Sequence, residues 1–249
     1  SGVALSNDSY QNWSREFDFL TQWVCVPKTP EDVVAVANWA AENFYCVRPM
    51  GAHHGWSPFT VGPLDQGSNI VLVDMMTHLK KVIAIKPEAN GFPAHATVQT
   101  GLSMGDFLEA LEKAPGGTGD IGFGLPHCTT LNPLSLGGVI AVGAHGTGAK
   151  IPGQEELPSG YGCISNRVLR FTAVAFNSTT KKYELKEFER SDPESSAFLT
   201  SLGRSLLVQV TLRVEPNYYM RCESIINLSK AQLFAKPTDE QPIPANSFH

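Results

Sequence analysis

The first regular pattern of apolar and polar positions predicts a strand, a helix and a second strand. Residues 22–26 are strand-like, and apolar side chains then recur at helical spacing over residues 30–43. Thr29 and Pro30 are typical of a helix start, with threonine as the N-cap and proline in the first turn. An apolar run at 45–48 completes a βαβ unit, whose crossover connection makes its two strands parallel.

The pattern continues with short apolar runs. Residues 69–74 and 82–85 are each consistent with a buried strand, and residues 94–100 alternate as a half-buried strand does. Residues 103–112 form an amphipathic pattern that begins with Ser103, which predicts a helix with serine as its N-cap.

The last third of the chain has the pattern of an antiparallel sheet. Two strand-like runs, 167–176 and 183–188, are separated by polar turn residues and predict a β-hairpin. Asp192 followed by proline predicts the start of a helix over 192–202, and residues 206–214 predict a closing strand. Residues 1–22 have no such pattern, so we expect an irregular leader that its aromatic side chains anchor on the domain.

A first glycine-rich loop follows the strand at 45–48. Glycines allow a backbone to approach a ligand closely, and consecutive free N–H groups in such a loop hold anions. His54 is the residue of most chemical interest, because an imidazole nitrogen can form a covalent bond as well as a hydrogen bond. The alternative is that His53 and His54 are ordinary solvent-exposed loop histidines. The candidate binding residues here are Pro49, Met50, Gly51, Ala52, His53, His54, Gly55, Ser57 and Pro58.

A second loop of similar composition surrounds an apolar segment near residue 140. Such a segment could be a short buried helix or strand whose two ends both present amides to one elongated anionic ligand. The alternative is a pair of tight turns in a packed core. The candidate binding residues are Leu134, Ser135, Gly137, Gly138, Gly143, Ala144, His145 and Gly146.

Taken together, the two motifs resemble the flavin-binding signatures of the vanillyl-alcohol oxidase family, whose FAD-binding domain is of the PCMH type. The motifs are Gly51-Ala52-His53-His54-Gly55-Trp56-Ser57-Pro58 and Leu136-Gly137-Gly138-Val139-Ile140-Ala141-Val142-Gly143-Ala144-His145-Gly146-Thr147-Gly148. Within that family, the His-Gly-Trp-Ser-Pro run is most similar to cholesterol oxidases of the second type, which carry covalent FAD. The resemblance extends over residues 23–221.

The resemblance implies FAD as the cofactor, with its isoalloxazine ring joined through the 8α carbon to the histidine at position 54. His53 is the residue most easily confused with it. The resemblance also implies that backbone atoms of Leu207 and Val208 lie near the adenine end of FAD. His127 and Thr129 precede the second loop and are further candidates, although a buried histidine bonded to backbone carbonyls is the simpler interpretation of His127.

The fold class that the resemblance implies is α+β. We expect residues 1–22 as leader and residues 23–222 as a PCMH-type FAD-binding domain of two α/β subdomains, about 23–90 and 91–222. Residues 223–249 would begin a separate substrate domain, because 222–228 resembles its first strand. We therefore expect the chain to be incomplete, with the remainder of the polypeptide or a second fragment as its partner, and name no catalytic base.

Composition excludes several other classes of protein. The net charge is −5 and the basic residues are scattered, which argues against nucleic-acid binding. No apolar run is long enough for a membrane span, and no Gly-x-Ser-x-Gly motif of a serine hydrolase occurs. Five widely spaced cysteines form no Cys-x-x-Cys pair, so we expect no metal site and at least one free thiol.

The function that the resemblance implies is oxidation of a sterol 3-hydroxyl, with O₂ as acceptor and hydrogen peroxide as product. Cholesterol would give cholest-4-en-3-one, and peripheral contact with membranes would give access to sterol. The alternatives are a sugar-alcohol or aldonolactone oxidase of the same family, and a flavin-binding fragment without catalysis, since the chain alone is not expected to oxidise steroid. The resemblance also favours a secreted or periplasmic protein, although this chain shows no signal peptide.

Overall fold

The computed structural model of the protein describes residues 2–65, 68–148, 162–219, 224, 226–227 and 229–234. The chain forms two compact units, Ser1–Asn217 and Tyr218–His249. The expected first strand of a substrate domain, at 222–228, lies largely outside the described residues.

The first unit begins with a four-stranded mixed sheet. Its spatial order is β1-β2-β4-β3, in which β1 is antiparallel to β2 while β2 and β3 are both parallel to β4. The predicted βαβ unit is therefore confirmed, with β4 inserted between its two strands. The strands are β1 Leu5–Gln11, β2 Asp18–Cys25, β3 Cys46–Met50 and β4 Ile70–Asp74.

Helix α1, Pro30–Glu42, connects β2 to β3 and begins as its sequence predicts. Thr29 Oγ1 accepts a hydrogen bond from the Asp32 amide, while the Asp32 carboxylate accepts one from the Thr29 amide. This reciprocal cap satisfies two amides that have no partner within the helix. The apolar face of α1 packs against β4 and also against side chains of the second sheet, so that one core joins both sheets.

The second sheet has five strands, all antiparallel to their neighbours, in the order β5-β6-β10-β8-β9. It contains the predicted hairpin, β8 and β9. The change of sheet falls between β4 and β5, earlier in the chain than the expected division near residue 90. The remaining elements of the unit are β5 Val82–Lys86, β6 His95–Gln99, α2 Met104–Glu112, β7 Phe123–Gly124, α3 Leu136–Ala141, β8 Val168–Asn177, β9 Lys182–Glu189, β10 Leu207–Arg213 and β11 Glu215–Pro216.

Two expectations about secondary structure are wrong. The leader is not irregular: β1 pairs with β2 along most of its length, and Tyr10 and Phe19 are buried beside Leu72. Residues 192–202 do not form an α-helix, since only Pro193–Ala197 forms a 3₁₀ turn. Both Thr200 and Leu202 have positive φ angles, which a right-handed helix does not allow.

The second unit contains, in its described part, one short helix, α4 Lys230–Leu233. No helix among the described residues is long and apolar enough to cross a membrane. The mixed α and β architecture of the first unit confirms the expected fold class.

Candidate functional site

The first glycine-rich loop follows the carboxyl end of β3, and an arginine of β3 holds the far end of the loop in place. Arg48 donates to both carboxylate oxygens of Asp65, at 2.7 and 2.9 Å, and to the carbonyl of Thr60 at 2.8 Å. The Arg48 hydrogen bonds hold the pKa of the Asp65 carboxyl below its usual value. The two ends of this stretch, β3 and the turn at Asp65, are thus held together while the residues between them form the loop.

The amides of this loop are available to a ligand. The N–H groups of residues 51–56 donate to no described protein atom, and all six residues are at least partly exposed. Unpaired amides in a concave loop bind anionic oxygens. This is the arrangement expected for a loop that holds a pyrophosphate.

The two histidines of the loop have different surroundings. The Nδ1 atom of His53 lies 3.1 Å from the carbonyl of Gln11, and its ring contacts Tyr10 at a centroid distance of 5.0 Å. The ring of His54 instead lies 4.8 Å from the ring of Trp13, and neither of its nitrogens is hydrogen-bonded to a described residue. His53 has a φ angle of +56°, which helps to direct the two consecutive side chains differently.

The apolar segment of the second loop is helix α3, capped by Ser135. The Ser135 Oγ accepts from the Gly138 amide at 3.2 Å. The two amides before it are also used, because Leu136 donates to the Leu102 carbonyl and Gly137 to the Thr100 carbonyl. The expectation that both ends of this segment present amides to a ligand is therefore wrong for its first turn, whose amides fasten the helix to the second sheet.

The two loops meet at Gly51 and Ser135. A β-carbon on Gly51 would lie 2.3 Å from Ser135 Oγ, far inside any normal contact. Between the loops lies a cavity of about 320 Å³. It is lined by most of the predicted binding residues, namely Pro49, Met50, Gly51, Ala52, His53, His54, Gly55, Ser57, Leu134, Ser135, Gly137, Gly138, Ala144 and Leu207.

The other predicted residues do not line this cavity: they are Pro58, His127, Thr129, Gly143, His145, Gly146 and Val208. His127 and Thr129 are buried behind the second loop. A β-carbon on Gly148 would lie 2.6 Å from His127 Cβ, so His127 packs against the loop and supports it. Val208 points into the core shared by the two sheets, because neighbouring residues of a strand point to opposite faces.

Sequence reasoning missed one residue that connects the site. Thr100 follows β6 and lines the cavity; its amide donates to the Val208 carbonyl and its hydroxyl to the Leu207 carbonyl. Its own carbonyl accepts from Gly137, so Thr100 joins β10 to α3. The glycine that follows Thr100 was the signal in the sequence for a close approach of two chain segments. A β-carbon on Gly101 would lie 1.8 Å from the Met75 carbonyl oxygen, so only glycine fits there.

Further lining residues come from the loop before β10, a stretch that the sequence presented as the end of a helix. The Leu202 amide donates to the Ala141 carbonyl at 2.8 Å, which holds this loop against the end of α3. The remaining lining residues that were not predicted are Phe59, Thr60, Met75, Val139, Ala141, Val142, Leu202, Gly203 and Ser205.

The chemistry of this lining suits FAD. Among the described residues, no Asp, Glu, Lys or Arg lines the cavity, so a pyrophosphate bound there would meet free amides and no carboxylate from this part of the chain. The side chains of Leu134, Val139 and Val142 offer an apolar surface for a flat aromatic ring. Among the described residues no cluster of potential metal ligands occurs.

Comparison with known proteins agrees with this interpretation. The chain matches the FAD binding domain family over residues 21–156, a range that includes both loops. Its structure is similar to that of cholesterol oxidase from B. sterolicum, with a TM-score of 0.82 and 38% sequence identity over 96% of this chain and 43% of that chain.

Curated relatives are more distant. The chain is 30% identical to L-galactono-1,4-lactone dehydrogenase of Arabidopsis thaliana over 146 residues, which are 58% of this chain and 21% of that protein. It is 22% identical to L-gulonolactone oxidase of Bos taurus over 212 residues, 85% of this chain and 41% of that protein. The chain thus spans less than half the length of each of these proteins. The family match and the geometry of the two loops show that the chain belongs to the FAD binding domain family of flavin-dependent oxidases and dehydrogenases.

Proposed function

We propose that the protein belongs to an FAD-dependent oxidase of a sterol 3-hydroxyl, which converts cholesterol to cholest-4-en-3-one and releases hydrogen peroxide. The observation that carries this proposal is the similarity to cholesterol oxidase, which extends over 96% of the chain at 38% identity. The curated lactone-oxidising relatives are at most 30% identical. The Gly55-Trp56-Ser57-Pro58 run also favours the sterol branch of the family.

Each part of the cavity has a role in this function. The free amides of residues 51–56 bind the pyrophosphate, because they present donors without the cost of breaking an existing bond. The apolar side chains of Leu134, Val139 and Val142 exclude water from the ring system. When bound, the flavin supplies the acceptor for the two electrons that leave the alcohol carbon.

His54 is the residue that we assign as the covalent tether. The hydrogen bond between the Gln11 carbonyl and Nδ1 of His53 occupies one ring nitrogen of that residue. Both ring nitrogens of His54 remain without a hydrogen bond to a described residue, and His54 lines the cavity. The bond to Gln11 commits the His53 ring to the N-terminal residues, whereas no described hydrogen bond competes with a ligand for the His54 ring, which favours His54 over His53.

The bond formation balances with oxygen as oxidant. A C–N bond from the His54 ring to the 8α carbon replaces one C–H bond of the methyl group and the N–H bond of the imidazole. Two protons and two electrons are released, and O₂ takes them up as hydrogen peroxide. Tethering therefore uses the same oxidant as the proposed turnover of sterol.

A second candidate function is oxidation of an aldonolactone. The similarity to L-galactono-1,4-lactone dehydrogenase and L-gulonolactone oxidase favours it, because these alignments cover 58% and 85% of this chain. The third possibility, a flavin-binding module without catalysis, predicts bound FAD and no oxidation of either substrate.

The test is peroxide release from the full-length protein loaded with FAD. We expect peroxide with cholesterol and none above background with L-gulono-1,4-lactone or xylitol, at equal concentrations of substrate. Peroxide with the lactone or with xylitol, and none with cholesterol, would replace the sterol proposal with its sugar-oxidising alternative. A yellow protein that releases peroxide with none of them would support the non-catalytic module.

A further inference from the structure

The N-terminal turn between β1 and β2, residues 11–17, contacts the first glycine-rich loop on both sides of His54. Before that residue, the Trp13 amide donates to the His53 carbonyl at 2.8 Å, and the Gln11 carbonyl lies 3.1 Å from His53 Nδ1. After it, the Asn12 side-chain amide donates to the Gly55 carbonyl at 3.0 Å. The backbone of His54 is thus held between two fixed neighbours.

Asn12 is the central residue of this turn. Its side chain is almost completely buried, with 2% of the residue exposed, although asparagine is usually found at the surface. Its carbonyl oxygen accepts from the Phe17 amide at 3.0 Å, and its NH₂ group donates to Ser14 Oγ at 2.9 Å as well as to Gly55. One buried amide therefore both shapes the turn and attaches it to the loop.

The ring of His54 is restrained by the same turn. Trp13 places its indole 4.8 Å from the His54 ring and 5.9 Å from the ring of Trp56, with which it is nearly parallel. Trp13 is 61% exposed, and Trp56 is 63% exposed, so burial of apolar area does not explain their positions well. The contact between Trp13 and the His54 ring explains their position better.

We infer that the N-terminal turn is a positioning device for the tether, in which Asn12 fixes the backbone around His54 and Trp13 orients its ring. This inference rests on the proposed role of His54. An imidazole that must meet one methyl carbon loses rate steeply when it is displaced, since a misplacement of about 1 Å can cost a reaction about 100-fold. Asn12 and Trp13 take no part in the bond change and act through His54 and its neighbours.

The test separates covalent bond formation from FAD binding. Apoprotein is mixed with saturating FAD, and the flavin that stays with the acid-precipitated protein is measured over time. Asn12→Asp retains the acceptor for the Phe17 amide but removes the donor to Gly55, so we expect covalent incorporation to slow by at least about tenfold. Ser14→Ala is the matched control, because it removes the other bond of the same NH₂ group, and it should incorporate FAD at the original rate.

Affinity and folding are measured alongside. In a His54→Ala background no tether can form there, so fluorescence titration gives the dissociation constant for FAD with and without Asn12→Asp. We expect the two constants to agree within about threefold, less than half a decade of affinity. If Asn12→Asp does not fold, Trp13→Ala serves instead, because this exposed ring can be removed with little loss of stability; it should slow incorporation several-fold.

The outcomes distinguish this inference from the proposed function. Wild-type protein without acid-stable flavin, or His54→Ala with it, would refute the tether itself. A His54-dependent tether that forms at the wild-type rate in Asn12→Asp, or in Trp13→Ala where that variant replaces it, would refute the positioning role alone. An equal loss of FAD affinity and incorporation rate would also refute it, because the turn would then support the loop as a whole.

Discussion

Gly51 and Ser135 face each other so closely that no side chain fits between them, and they belong to the two separate loops that enclose the cavity. A β-carbon at position 51 would lie 2.3 Å from Ser135 Oγ and 3.4 Å from Ser135 Cβ. Only the hydroxyl oxygen is therefore in serious conflict with an alanine at this position. The contact joins the first glycine-rich loop, whose amides are free to bind FAD, to the N-cap of α3.

Gly51→Ala should weaken FAD binding by at least about tenfold, about 1.4 kcal/mol, because either the loops separate or Ser135 rotates away from the Gly138 amide. The double variant Gly51→Ala with Ser135→Ala removes the conflicting oxygen and should recover much of the affinity. Ser135→Ala alone measures the loss of the cap, typically about 1 kcal/mol of stability. Additive effects in this cycle, without recovery, would show that the contact is not what limits position 51.

The pair of Arg48 and Asp65 should make stability depend on pH in the acid range. Its hydrogen bonds lower the folded-state pKa of Asp65 below the unfolded value of about 3.9. The pair therefore stabilises the native state fully above about pH 4, and this contribution is lost as the pH falls through the lower folded pKa. Asp65→Asn should lower the free energy of unfolding by about 1.5–3 kcal/mol at pH 7, measured by urea denaturation.

The difference between wild type and Asp65→Asn should shrink as the pH is lowered below about 4. Glu194→Gln is the control, because Glu194 pairs with Lys186 on the exposed surface, where an ion pair contributes about 0–1 kcal/mol. Equal effects of the two substitutions at pH 7 would contradict the assignment of Arg48 and Asp65 as the anchor of the loop.

Thr100 should contribute to stability through its hydroxyl. Thr100→Val preserves the shape but leaves the buried Leu207 carbonyl without that donor, which should cost about 1–3 kcal/mol of unfolding free energy. Thr180→Val, in the exposed turn of the hairpin, should change the unfolding free energy by less than about 0.5 kcal/mol. A Thr100 variant as stable as the control would mean that Leu207 finds another partner.

The cysteines should differ sharply in reactivity. Burial raises the pKa of the Cys25 thiol to about 12, with a smaller contribution from the charge of Asp74, whereas Cys46 is exposed. Only the thiolate is nucleophilic, so iodoacetamide at pH 8 should label Cys46 and leave Cys25 unmodified until the protein unfolds. Peptide mass mapping after brief alkylation measures this, and early labelling of Cys25 would contradict its position in the core.

The sequence predicted those elements whose ends are set by neighbouring residues. Thr29 and Pro30 specified the start of α1, and Ser103 specified that of α2, because a cap depends on residues within one turn. The leader was mispredicted because the polar, exposed side of β1 hides its strand character, and its pairing with β2 is not visible from either segment alone.

The site was predictable to a similar extent. The glycines of both loops were recognisable in the sequence as candidate binding residues. The resemblance to a known family predicted that the two loops lie on either side of one ligand. Contacts between distant residues were not visible, such as the Thr100 bridge and the occupied amides of Leu136 and Gly137. His127 was selected for its chemistry, but its side chain packs behind the loop, where only the close approach of Gly148 reveals its role.

The most direct test of the central claim is to locate the flavin on the chain. The protein, His53→Ala and His54→Ala are each loaded with FAD and precipitated with acid, and the peptides of the pellet are fragmented in a mass spectrometer. We predict that the flavin mass is found on His54 in wild-type and His53→Ala protein, and that His54→Ala yields a colourless pellet. Flavin on His53, or a yellow pellet from His54→Ala, would contradict the account.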